Sequence, residues 1–253
     1  MKTLIKNRGG DNISVLVEEP QESRGVVFLL HGMGCNKEET SIKTLAESFR
    51  KNNFTTVLFD STNTFGESDG LFENLTITKS LSDIDDVINW SKSFEWYKEP
   101  FILAGHSFGA SLGLLFAEEY PKEVLGIACL SAIISEEEFS KIYPPQVMGI
   151  WEKNGLLVWK DGDVVKKLKW EFIKDKSNYS IPDYIQKIRI PLLLVVGDGD
   201  PFTLIPDQER LEKTLLDCQF NMIKDCSHFI TTPKNISELN TIISQWVKSK
   251  FTT

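Results

Sequence analysis

The sequence is poor in the side chains that hold metals. Among 253 residues it has three histidines, His31, His106 and His228, and four cysteines, Cys35, Cys129, Cys218 and Cys226. No two of these stand at metal-ligand spacing and there is no C-x-x-C pair, so no metal is expected. The cysteines are expected as reduced thiols, with Cys129 buried in an apolar run. Basic clusters are missing too. Against 36 Asp and Glu there are 28 Lys and Arg, a net charge of −8, which argues against a nucleic-acid or anionic-membrane partner. No apolar run approaches the ~18–20 residues of a membrane span. The start, MKTLIKNRGGDN, has neither a long apolar core nor a small-residue cleavage site. No secretory signal is therefore expected, and a cytoplasmic location is. The composition does not choose between monomer and homodimer.

What is present is alternation. Apolar, β-branched runs at 13–19, 25–32, 54–60, 100–105, 124–132, 191–200 and 219–225 predict strands. Helical spacing of apolar residues predicts helices at 37–53, 78–96, 111–121, 206–217 and 235–250. Such alternation predicts an α/β fold, a mostly parallel sheet with helices on both faces, as one domain over 1–253. In these sheets sites form at the carboxyl ends of the strands. His31-Gly32, Ser107, Asp198, Asp200 and His228 all fall at or just past the ends of predicted strand runs. One segment, 133–185, is too long for a bare connection. Within it Asp161-Gly162 separates two β-prone runs, a hairpin signal, and WEFIKD follows. This segment is expected to be a small cap inserted over the sheet's carboxyl edge. Most of its large apolar side chains are expected to form its own core and the rest an apolar pocket wall over that edge, so that Trp159→Ala, and likewise Trp151→Ala, is expected to change substrate preference. The run Glu136-Glu137-Glu138 is expected as a solvated helix face.

The stretch FILAGHSFGAS (101–111) contains G-x-S-x-G between a predicted strand and a predicted helix. The pentapeptide alone arises by chance in about one chain in ten of this length; the strand–turn–helix context gives it meaning. A serine hydroxyl needs a base to take its proton, and the base needs an acid to fix its tautomer. His228, after the last strand, is the expected base. His106 lies within the turn itself, and His31 is expected to brace the HGMG loop. Asp198, Asp200 and Asp225 are the candidate acids. For a developing oxyanion, the amides of Phe108 and of Met33, in HGMG, are the expected donors.

Together HGMG, GHSFG, GDGD and SHF, in the order Ser…Asp…His, resemble the α/β-hydrolase family over nearly the whole chain. The resemblance implies an eight-stranded type of sheet and hydrolysis without a cofactor. It also implies Asp200 as the acid, since the acid usually stands third after the glycine that ends the strand, here Gly197. FDSTNTFGESDGLFENLTI (59–77) is similar to esterases of the cinnamoyl/feruloyl type, which also carry a small inserted cap. It departs from them at Thr64-Phe65-Gly66-Glu67, where they show G-x-G. The resemblance implies a carboxylesterase acting on a small-molecule ester, with thioesterase or monoacylglycerol lipase as alternatives of the same chemistry. A non-catalytic binding protein on this scaffold is the alternative of a different class.

Overall fold

In chain order the strands are β1 (Lys2–Lys6), β2 (Asn12–Glu18), β3 (Gly25–Leu30), β4 (Phe54–Phe59), β5 (Phe101–His106), β6 (Val124–Leu130), β7 (Leu156–Asp161), β8 (Val164–Lys169), β9 (Leu192–Gly197) and β10 (Cys218–Ile223). The helices are α1 (Thr40–Lys51), α2 (Ile77–Ser91), α3 (Phe108–Glu119), α4 (Glu136–Ile142), α5 (Pro145–Asn154), α6 (Glu171–Lys176), α7 (Ile205–Thr214) and α8 (Pro233–Phe251). This computed structural model describes residues 1–181 and 185–251.

Eight strands form one sheet in the order β1-β2-β4-β3-β5-β6-β9-β10. The pairings β1–β2 and β2–β4 are antiparallel and the other five are parallel. Strand periodicity explains why both faces are apolar. In β3, Val26, Phe28 and Leu30 join the core under α2 and α3, while Val27 and Leu29 join the core under α1 and α8. Strand β1 had no clear sequence signal because it is an edge strand in which Ile5 alone is buried.

Between β6 and β9 the chain makes α4, α5, the hairpin β7–β8 and α6. The hairpin turns at Gly162, whose φ of +59° suits glycine. Residues 182–184 of the expected 133–185 insertion lie outside the described residues. Two expectations within it are corrected. Trp151 does not face a cavity. It is fully buried against Tyr143, Trp170 and Phe172, with ring centroids 5.3, 5.6 and 6.3 Å away. Nor is Glu138 solvated. Its buried carboxylate accepts from the amides of Ile134 (2.6 Å), Ser135 (3.1 Å) and Leu204 (2.7 Å). Ser135 caps α4 and completes a capping box with Glu138. Leu204 ties the start of the insertion to the loop after β9.

Candidate active site

The nucleophile candidate sits on an elbow. β5 ends at His106, and Ser107 takes φ 53° and ψ −120° before α3 begins at Phe108. The helix, expected from 111, starts earlier because this single residue reverses the chain. A left-handed serine is held there by its surroundings. Its N–H donates to the Leu130 carbonyl at 2.8 Å. The two motif glycines are required by close approach. A Cβ on Gly105 would stand 2.6 Å from the Ala110 nitrogen, and one on Gly109 would run into the Leu30 backbone.

His228 reaches this serine from the loop after β10. The Ser107 hydroxyl donates to His228 Nε2 at 3.0 Å, and His228 Nδ1–H donates to Asp200 Oδ2 at 2.9 Å. A carboxylate only accepts, so this arrangement fixes the tautomer that leaves Nε2 free to take a proton. Asp200 is itself held by the amides of Phe202 (2.9 Å) and Thr203 (3.2 Å) and by the Thr203 hydroxyl (3.0 Å). Burial pushes the Asp200 carboxyl up, but the His228 ring and the Phe202 amide outweigh it and hold it at about 2. The other two acid candidates are engaged elsewhere. Asp198 accepts from the Cys226 amide at 3.2 Å. Asp225 is exposed and pairs with Lys234 at 2.9 Å.

The remaining histidines have separate work. His31 donates from Nδ1 to the Gly32 carbonyl at 2.9 Å and accepts the Ser61 amide on Nε2 at 3.2 Å. It joins the loops after β3 and β4, and burial pushes its imidazole toward the neutral form that these two bonds require. His106 is fully buried, with Nε2 against the His228 carbonyl. Met33 and Phe108 both line the cavity in front of Ser107. Neither amide N–H donates to another described residue.

That cavity measures about 720 Å³. The main body lines it with Met33, Leu112 and Leu115, and the insertion with Ile142, Leu157 and Trp159. Several residues that hold the surrounding loops together carried no sequence signal. Lys37 is 1% exposed, with Nζ 2.6 Å from Asp60 and 2.7 Å from Glu67, tying the loop after β3 to the loop after β4. Lys166, on β8, donates to the Gly34 carbonyl at 3.2 Å, and the Tyr143 hydroxyl lies 3.4 Å from Met33 Sδ. The insertion therefore touches the HGMG loop directly. A lysine in a loop or hairpin reads as solvated until its neighbours in space are known.

A strand–serine–helix elbow at the centre of a mostly parallel, eight-stranded sheet with helices on both faces defines an α/β-hydrolase. The family model described as "Serine aminopeptidase, S33" matches residues 21–180, and the chain belongs to that hydrolase family. It is 22% identical over 246 residues to the human monoacylglycerol lipase ABHD6, covering 81% of this chain and 70% of that protein. In fold it is similar to Est1E from Butyrivibrio proteoclasticus, solved with ferulic acid bound, at a TM-score of 0.81 and 20% identity over 99% of this chain and 100% of that one. A monoacylglycerol lipase from Paleococcus ferrophilus gives a TM-score of 0.75 and 20% identity over 94% and 99% of the two chains.

Proposed function

We propose that the chain is a serine carboxylesterase in which Ser107 is the nucleophile, His228 the base and Asp200 the acid. The observation that carries this reading is the unbroken Ser107–His228–Asp200 relay, at 3.0 and 2.9 Å, opening into an apolar cavity. His228 Nε2 takes the hydroxyl proton as Oγ attacks the ester carbonyl. The carbonyl oxygen gains charge facing the Met33 and Phe108 amides, whose free N–H groups suit an oxyanion. As the tetrahedral intermediate collapses, His228 returns the proton to the departing alcohol and an acyl-serine remains. Water, deprotonated by the same ring, attacks the acyl carbon and releases the acid and Ser107. Residues 133–185 act as a cap that supplies the apolar wall for an aromatic or short-to-medium acyl group.

The monoacylglycerol lipases among the similar proteins favour a second substrate reading of the same chemistry. The aminopeptidase in the family's description does not fit as well. Holding a peptide's free ammonium calls for an unpaired carboxylate. Asp161, the acidic residue among the described cavity lining, is paired with Lys166 at 2.6 Å. A panel of p-nitrophenyl esters from acetate to palmitate, methyl ferulate, a monoacylglycerol and an aminoacyl p-nitroanilide distinguishes these substrates. Ser107→Ala is expected to lower kcat by on the order of 10⁴–10⁶ and to abolish fluorophosphonate labelling. A folded Ser107→Ala protein keeping a tenth of its esterase activity overturns the reading.

A further inference from the structure

We propose that Glu39 and His106 form a second, buried charge pair that holds the main chain of His228 from behind, making Glu39 a positioning residue for the reaction. The positioning role rests on the reading of Ser107, His228 and Asp200 above. The protonation of the pair stands independently of it.

His106 precedes Ser107, and its side chain is 1% exposed. Its Nε2 lies 2.8 Å from the His228 carbonyl oxygen. A carbonyl only accepts, so Nε2 carries a proton. Across the ring, Nδ1 lies 2.7 Å from Glu39 Oε1, from the residue preceding α1. The carboxylate stands off the axis of an aligned ring hydrogen bond, so the contact has the character of an ion pair. Two bare electronegative atoms repel at that separation, so the pair holds one proton, on Nδ1 or on the carboxyl. Either His106 is an imidazolium facing a carboxylate, or a neutral ring faces a protonated Glu39. The net charge of the pair is zero in both.

The surroundings favour the imidazolium. Burial raises the Glu39 carboxyl, but His106, with the Ser41 hydroxyl and the Cys35 thiol beside it, outweighs burial and lowers it below the ordinary value. Cys35 is itself pushed up to about 12 by burial first and by Glu39 next, so it remains neutral. From the other side His106 faces the His228 ring, centroids 4.9 Å apart, and the Phe229 ring at 5.1 Å.

Two consequences follow for His228. The Nε2–H bond fixes the carbonyl of the residue whose ring must meet Ser107, and a misplacement of ~1 Å costs on the order of 10²-fold in rate. In the transition state the His228 ring also becomes cationic. An uncompensated imidazolium next to it would oppose that charge. Glu39 supplies the compensating charge while keeping His106 a strong donor.

The test combines imidazole nitrogen NMR with kinetics on the intact chain. With ¹⁵N-labelled histidines, assigned using His106→Gln, both His106 nitrogens are expected to resonate as protonated in the folded protein. The same is expected in Ser107→Ala, which separates the pair from the reaction. Glu39→Gln should return Nδ1 to the unprotonated type and lower kcat about 10-fold with KM within about 2-fold. Glu39→Asp, which keeps the charge, should recover part of the kcat and stands in if the Gln variant does not fold. An unprotonated nitrogen on wild-type His106, or a folded Glu39→Gln protein with unchanged kcat, overturns the proposal. If instead Ser107→Ala retains activity, the catalytic reading falls while the nitrogen spectra still decide the pair.

Discussion

Asp198 and Asp200 lie two residues apart on one turn, yet they do different work. Asp200 faces His228 at 2.9 Å, while Asp198 caps the Cys226 amide. Asp200→Asn should therefore lower kcat by roughly 10³–10⁴, because an amide stabilises the wrong imidazole tautomer and no longer supports its cation. Asp198→Asn should leave kcat within a few-fold and act on stability; the opposite ranking in a steady-state assay moves the relay onto Asp198. The Asp200 carboxyl also predicts a pH effect on stability. It is held at about 2, below the ordinary carboxyl value of 3.8. The folded state thus binds that proton less tightly than the unfolded chain. The resulting stability is present above about pH 4 and is lost as the pH falls through about 2. Melting temperatures recorded over that window should fall more steeply for the wild type than for Asp200→Asn.

The insertion shows how one element serves two purposes. In the β7–β8 hairpin, alternation sends Leu157, Trp159, Lys166 and Leu168 to the inner face and Val158, Lys160, Val165 and Lys167 to the outer one. Trp159 lines the cavity and packs on Phe72, ring centroids 6.0 Å apart. Trp159→Ala should shift relative kcat/KM between acetyl and bulky aromatic esters by about 10-fold or more. Its fluorophosphonate labelling rate should stay within a few-fold of the wild type. Trp151, one helix earlier, is sealed inside the core. Trp151→Ala should leave ester preference alone and destabilise the protein by about 3–5 kcal/mol, read by urea denaturation. If Trp159→Ala keeps the ester preference, substrate selection lies in the loops carrying Phe65 and Phe202. The start of α4 is held by chemistry rather than by packing. Glu138→Ala would strand the Ile134, Ser135 and Leu204 amides in a buried site, at a cost of roughly 3 kcal/mol. Glu138→Gln keeps one acceptor oxygen and should lie between that variant and the wild type.

Across the whole molecule, the apolar core under α2 and α3 runs without interruption into the insertion through Tyr143, Trp151, Leu168 and Phe172. A shared core favours one cooperative unit. Far-UV circular dichroism, tryptophan fluorescence and esterase activity are expected to lose half their signal at one urea concentration. A fluorescence transition at lower urea would show the insertion melting on its own. Much of this architecture was legible in the sequence. Both faces of each central strand are covered, so β3 to β6 and β9 are mostly apolar, and the helices repeat with their own period. The elbow was legible because strand, glycines, serine and helix are neighbours in the chain. The place of His228 after the last strand was legible too, as was the shortage of alternatives among three histidines. The tertiary structure alone decided the rest: the burial of Lys37 and Glu138, the separate fates of Trp151 and Trp159, the face of the turn that Asp200 occupies and the meeting of Glu39 with His106. The physical reason is common to all of them. Periodicity records which side of its own element a residue buries, whereas a partner 67 positions away in sequence, as His106 is from Glu39, is set by how the elements pack.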